Sequence, residues 1–222
     1  MNIGFYGHSN CAYSSPDSFL DIVADQLGAK LVSKGVKQGS EERVLFNLKK
    51  TRDLDVAIIF HSEPGYTFLP NCDRDIDLTN LSKRRMENVL KQEEWDGSFL
   101  TTHNPNFKEH FKTLAAVVNT ATVFRDHLYH PDAMLNRFYG ALLQIDRYLV
   151  DRHIPCVHVL SYSNSIPDWF KFNSGIVDYV VMDLCQKYKT EGNNFFVNTV
   201  TREGNQVIAN KLVTLLNAAC SR

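Results

Sequence analysis

The fold is decided by one short stretch near the N-terminus, Ile3-Gly4-Phe5-Tyr6-Gly7-His8-Ser9-Asn10-Cys11. It begins as an apolar run typical of a buried strand and stops at Gly7, where the absence of a Cβ permits a sharp turn. Ser9 follows at once, ahead of a segment with helical periodicity. Open α/β sheets place reactive groups at such strand-to-helix turns, whose backbone N–H groups can face negative charge. An ordinary turn with a capping serine fits the same stretch.

The first 65 residues alternate between strand and helix patterns. After the first strand, Ser15 and Pro16 are typical of a helix start, and Gly28 of its end. A strand at 29–33, a helix at 41–50 and a continuous apolar strand at 55–60 follow. This β-α-β-α-β order predicts a doubly wound parallel sheet, in which ligands bind at the carboxyl ends of the strands. The loops 7–9, 35–40 and 61–65 are therefore predicted to converge.

The remainder of the chain extends the same sheet. Residues 66–106 are polar and too long for a simple connection, which indicates an insertion, a lid or a partner surface. An aromatic cluster at 167–175 fits a pocket wall or ordinary packing. The other predicted elements are helices at 78–91, 107–127, 131–152, 176–189 and 201–219, and strands at 154–160 and 194–198. Together they predict one α/β domain over residues 1–222, with about five parallel strands and helices on both faces.

Composition narrows the function classes. Of the 222 residues, 44% are hydrophobic and 22% charged, which is ordinary for a globular protein. A net charge of −1 gives no electrostatic reason to expect nucleic acid or a membrane surface as partner. No apolar run approaches the about 20 residues that cross a bilayer. The five cysteines are widely spaced with no CxxC pair, so we expect reduced thiols and a cytoplasmic protein.

The motifs then resemble those of the SGNH, or GDSL-like, hydrolase family over most of the chain apart from roughly residues 66–130. Gly7-His8-Ser9 is similar to the family's Gly-Asp-Ser block, and the loop containing Gly39 to its glycine-marked oxyanion loop. The resemblance implies a three-layer, flavodoxin-like fold. It also implies a serine esterase or acetylesterase with Ser9 as nucleophile and the N–H of Gly39 in the oxyanion hole. A looser resemblance is to phage-encoded members, which would place the protein in a host cytoplasm.

The catalytic blocks depart from the family pattern. Thr199 stands where the family has its catalytic histidine, so the usual base for the serine is missing. Glu63 takes the asparagine position of the third block, where an ionised carboxylate would repel an oxyanion unless burial kept it protonated. His8 replaces the aspartate beside Ser9. His61, at the end of the third predicted strand, is the stronger substitute base, whereas His158 inside the fourth strand is expected to be a satisfied core histidine.

Three functions remain open. The first is hydrolysis of an ester or acetyl group on a small molecule or glycan by Ser9 and His61, without a cofactor. The second is a catalytically degenerate protein that binds a metabolite, a glycan or, through residues 66–106, a partner protein. The third is a flavodoxin-like phosphate or flavin binder using residues 9–15. A metal site from His8, His61 and Glu63 is chemically feasible, but no spacing requires it, and we predict none.

Overall fold

The computed structural model describes residues 1–7, 11–12, 17–36, 39–62, 64, 66–67, 76–77, 130–160, 166–167, 169–190 and 200–221. The elements of the N-terminal half are β1 (Asn2–Gly7), α1 (Phe19–Gln26), β2 (Lys30–Ser33), α2 (Glu41–Lys50), β3 (Val56–Phe60), β4 (Tyr66–Thr67) and β5 (Ile76–Asp77). Those of the C-terminal half are α3 (Pro131–Asp151), β6 (Cys156–Val159), β7 (Gly175–Asp178), α4 (Val180–Lys187) and α5 (Arg202–Cys220).

Within the described residues, five parallel strands form one sheet in the order β2-β1-β3-β6-β7, and β4 pairs with β5 in a separate antiparallel ribbon. Counted along the main sheet alone, this is the 2-1-3-4-5 order of flavodoxin-like folds. The strand order reverses between β1 and β3, so the ligand crevice of such a fold lies beyond the carboxyl ends of those two strands. The predicted doubly wound α/β fold is confirmed.

The sheet is covered on both faces because its side chains alternate. On one face, side chains of β1, β3 and β6, among them Ile3, Phe5 and Phe60, pack in an apolar cluster with α1, α4 and α5. The opposite face packs on α2 and α3, whose helical stripes supply Val44, Leu48, Ile145 and Leu149. The structure thus has the three layers expected from the sequence.

Gly7 ends β1 in a conformation that only glycine adopts readily. Its φ is +119°, and a Cβ built there would lie 1.9 Å from the carbonyl oxygen of Phe60 on the neighbouring strand. The predicted reason for a glycine at this turn is therefore confirmed.

Two sequence predictions were wrong. Helix α1 begins at Phe19 rather than near Pro16, because the side chain of Ser18 accepts the backbone N–H of Asp21 and caps it there. The fifth strand of the sheet is β7 at Gly175–Asp178, where the pattern had predicted the start of a helix at 176. A Cβ on Gly175 would lie 1.7 Å from the carbonyl oxygen of Cys156, so the glycine permits β7 to approach β6. The predictions for 78–91, 107–127 and 194–198 lie outside the described residues.

Candidate functional site

Backbone hydrogen bonds tie together the ends of β1 and β2 at the crevice. The N–H of Val36 donates to the carbonyl oxygen of Gly7 over 2.9 Å, and the N–H of Gly35 donates to that of Cys11 over 2.8 Å. Gly39 comes so close to β1 that a Cβ on it would lie 2.8 Å from the Gly7 oxygen. Since Gly7 and Cys11 bracket Ser9 in the sequence, the second loop is anchored on either side of the predicted nucleophile.

The structure places two of the predicted site residues, Gly39 and His61, at the carboxyl edge of the sheet. Within its own loop, the N–H of Gly39 donates to the carbonyl oxygen of Val36 over 3.0 Å. His61 directly follows β3 and is 1% exposed. The other four predicted site residues, His8, Ser9, Glu63 and Thr199, lie outside the described residues.

Glu41 connects the start of α2 to the end of β3. Ser40 caps the helix by accepting the N–H of Arg43, which sets Glu41 at the first helical position, facing inward and 1% exposed. One carboxylate oxygen of Glu41 lies 3.0 Å from Nδ1 of His61. The other accepts the backbone N–H of Ser62 over 2.7 Å and its hydroxyl over 3.1 Å. A carboxylate on one ring nitrogen is the usual way to orient an imidazole in an active site.

The hydrogen bonds continue from His61 across the sheet. Nε2 of His61 lies 3.0 Å from Nδ1 of His158, and Nε2 of His158 lies 2.9 Å from the hydroxyl of Ser174. That hydroxyl lies 2.7 Å from a carboxylate oxygen of Asp146 on α3. We call the set Glu41, His61, His158, Ser174 and Asp146 the buried polar chain. It joins the helix on one side of the crevice, α2, to α3 through two strand ends.

Aromatic packing shields the middle of the buried polar chain. The ring of Phe172 stacks on that of His158 at a centroid distance of 3.9 Å and lies 5.2 Å from that of His61. His158 is fully buried, and burial, followed by the neighbouring His61, holds its pKa well below the ordinary value of 6.5. His158 is therefore neutral, as expected for a satisfied core histidine.

Sequence reasoning missed Glu41, Ser174 and Asp146. Glu41 was assigned only to the first turn of a helix, where acidic residues are common for electrostatic reasons. Asp146 follows Ile145 on α3, and a polar residue beside a buried stripe was the available signal. The cluster at 167–175 was expected to wall a pocket or to pack. Phe170 packs on Phe138 in a small cluster, whereas Trp169 is 65% exposed.

A shallow depression opens between α2, the end of β3 and α3. An ion pair between Arg137 and Glu42, with 2.7 Å between nitrogen and oxygen, spans its rim. It is lined by Glu41, Glu42, Ser62, Pro64, Met134, Arg137 and Phe138. In the described part of the chain, no group of three or more histidine, cysteine or acidic side chains is arranged to hold a metal ion. None of the described helices combines the length and apolarity needed to cross a membrane.

Among known proteins, the chain is similar to solved structures. No family model and no curated sequence matches the chain. A structure described as a lipolytic protein of the G-D-S-L family from Desulfitobacterium hafniense DCB-2 aligns with a TM-score of 0.43 and 12% identity, over 97% of this chain and 99% of that one. The acetyl xylan esterase AlAXEase aligns with a TM-score of 0.35 and 12% identity, over 96% of this chain and 98% of that one. At this level no site residue is transferred to this chain from either protein.

Proposed function

We propose that the protein is an SGNH-like hydrolase that cleaves an ester or acetyl group from a small molecule or a glycan. The observation that supports this most is the anchoring of the β2 loop to Gly7 and Cys11, next to an imidazole oriented by a buried carboxylate. Acyl transfer needs backbone N–H donors for the oxyanion and a base held in a fixed orientation. The glycine-marked loop and the oriented imidazole can supply these at the point where the strand order reverses.

The roles follow from the chemistry of each group. Ser9 is the nucleophile, and the N–H groups of Ser9 and Gly39 stabilise the oxyanion. His61 is the base, with Glu41 as the carboxylate that orients it. The mechanism requires two changes of hydrogen-bond partner. The N–H of Gly39, which donates to the carbonyl oxygen of Val36, must donate to the oxyanion instead or be shared between the two oxygens. Nε2 of His61 must break its hydrogen bond to His158 before it can accept the proton of Ser9.

The test is turnover of p-nitrophenyl acetate by the wild type and by Ser9→Ala, with Ser14→Ala from the same segment as the matched control. We expect Ser9→Ala to lower kcat/KM by at least about 10³-fold, because removing the nucleophile of a triad costs several orders of magnitude. Ser14→Ala should retain the wild-type rate. A fluorophosphonate probe should also label Ser9, as read by peptide mass spectrometry. The absence of both Ser9-dependent turnover and labelling would contradict the proposal.

A second candidate function is binding without turnover, with the same crevice or residues 66–106 as the recognition surface. It is favoured by a specific observation: both ring nitrogens of His61 already have hydrogen-bond partners within the buried polar chain. Thr199 and Glu63 in the family's catalytic positions agree with it. In this case an acetylated glycan or a partner protein would bind Ser9→Ala as tightly as the wild type. Binding that is lost on deletion of 66–106, but kept in Ser9→Ala, would place recognition in the insertion.

A further inference from the structure

The direction of the hydrogen bonds in the buried polar chain is determined at Asp146. Its carboxylate accepts the backbone N–H groups of Asn173 and Ser174, both over 2.9 Å, and the side-chain amide of Asn173 over 3.2 Å. A carboxylate surrounded by donors acts as an acceptor only. The hydroxyl of Ser174, 2.7 Å from the same carboxylate, must therefore donate its one proton to Asp146.

The tautomer of His158 follows from that donation. With its proton committed to Asp146, the Ser174 oxygen can only accept, so Nε2 of His158 carries the proton between them. His158 is neutral, and its Nδ1 is therefore an unprotonated acceptor. Nδ1 of His158 faces Nε2 of His61 over 3.0 Å, so Nε2 of His61 carries a proton and donates it.

The last contact then needs one more proton. Nδ1 of His61 and a carboxylate oxygen of Glu41 are 3.0 Å apart, and two unprotonated acceptors would repel each other at that distance. Either the imidazole is doubly protonated beside an ionised Glu41, or the imidazole is neutral beside a protonated carboxyl. In both cases the pair holds one proton more than a free imidazole and a free carboxylate. The Ser62 N–H and the helix N-terminus favour the first arrangement because both stabilise negative charge on Glu41.

Further charged or titratable groups flank the buried polar chain on the sides of α2 and α3. On the α2 side, Glu42 is paired with Arg137 at the rim of the depression, and Arg43 is buried on the same helix. On the α3 side, burial and the charge of Asp146 raise the pKa of the Cys156 thiol well above its ordinary value, so that thiol stays neutral. The ring of Phe172 packs against both imidazoles, which are themselves buried.

We infer that the buried polar chain stores one proton on the Glu41–His61 pair, and that Asp146, Ser174 and His158 are positioning residues that keep it there. For the proposed function, on which this consequence rests, Nε2 of His61 is a proton donor in the resting protein. Nε2 of His61 can take a proton from Ser9 only after its bond to His158 has broken and its own proton has passed to solvent, which leaves His61 neutral with its Nδ1–H donated to an ionised Glu41.

The test reads ring protonation directly, without activity. Protein with isotope-labelled histidine is studied at neutral pH by proton–nitrogen correlation spectra that distinguish protonated from unprotonated ring nitrogens. In the wild type we expect His158 protonated at Nε2 only, and His61 protonated at Nε2 with a further shared proton at Nδ1. In Ser174→Ala, which removes the link to Asp146, we expect His158 to move its proton to Nδ1 and His61 to lose the one on Nε2. Ser174→Thr, which keeps a hydroxyl, should retain the wild-type pattern.

The outcomes separate this inference from the proposed function. A wild-type spectrum with His158 protonated at Nδ1 would overturn the inference, and so would Ser174→Ala with an unchanged pattern. If Ser174→Ala does not fold, the wild-type spectrum alone decides. The pattern should persist in Ser9→Ala, so a protein without ester turnover but with the expected nitrogen signals would refute the esterase and leave the stored proton standing.

Discussion

The two faces of the central sheet both bury apolar side chains, but only one of them adjoins the buried polar chain. The face towards α1, α4 and α5 is an apolar cluster in which Phe19 packs against Phe5 and Phe60, with centroid distances of 6.2 and 5.7 Å. The face towards α2 and α3 has a similar apolar cluster, but it also abuts the buried polar chain. Apolar burial has no preferred direction, whereas a buried hydrogen bond is favourable only with its own partner.

Neighbouring residues of one strand contribute to both faces. Val157 and Val159 of β6 enter the apolar cluster, and His158 between them enters the buried polar chain. The two faces therefore differ in side-chain chemistry, although one strand supplies side chains to both. We expect the free energy of unfolding to fall when a substitution removes side-chain volume on the first face, and when it removes a hydrogen-bond partner on the second.

The largest loss of stability should come from removing the side chain of Glu41, which lies at one end of the buried polar chain. Glu41→Ala leaves His61 and Ser62 without the carboxylate that pairs with them, and breaking a buried pair lowers the free energy of unfolding by about 3–5 kcal/mol. Glu42→Ala is the matched control, since this next residue of α2 makes a surface ion pair with Arg137 that contributes about 0–1 kcal/mol. Urea unfolding measures both. Equal losses of unfolding free energy in the two variants would show that the buried polar chain contributes no more stability than a surface ion pair.

A comparable or somewhat smaller effect is expected on the apolar face. Leu212→Ala removes a fully buried side chain of α5 and should lower the free energy of unfolding by about 2–5 kcal/mol through lost burial and a residual cavity. Leu143→Ala, at a position 49% exposed, should change it by no more than about 0.5 kcal/mol. The double variant Glu41→Ala/Leu212→Ala sharpens the comparison, because separate faces predict losses that add within about 0.5 kcal/mol. A larger departure would mean that the faces are coupled.

The smallest effect is a pH dependence confined to the polar face. His158 stays neutral in the folded protein because its pKa is lowered, whereas in the unfolded chain it gains a proton below the ordinary value of 6.5. The unfolded state then binds more protons, so folded stability is lost as pH falls below 6.5, with a slope of up to about 1.4 kcal/mol per pH unit. His158→Gln, which cannot titrate, should show a flatter profile in urea unfolding at several pH values. Substituting the exposed His130 by Gln should leave the slope as in the wild type.

The sequence predicted the parts of the fold that depend on local pattern. The apolar run that ends at Phe60 indicated a strand buried on both faces. Helix α2 was predicted with the ends that the structure shows. β7 was missed because four residues are too few for a period, and the helical spacing of Val180 and its neighbours extended the prediction backwards.

The site was predictable only in part. The position of His61 at the carboxyl edge of the sheet was predicted from its place after a strand, and that of Gly39 from its loop. The partners of His61 come from residues 20 and 97 positions away in the chain, which no local pattern connects. The roles assigned to all six residues stay predictions from the sequence, namely those of Ser9, His61, Gly39, Glu63, His8 and Thr199.

The position of His158 between two valines also specifies strand alignment. If β6 slid by one residue along its neighbours, His158 would move to the face of the phenylalanines and a valine would take its place beside His61 and Ser174, since successive side chains point to opposite faces. Val157 and Val159 alone would tolerate several offsets equally well. A single histidine with fixed partners therefore makes one alignment of the central strands much more favourable than the alternatives, which is a role that well-placed buried polar groups can have in excluding misfolded pairings.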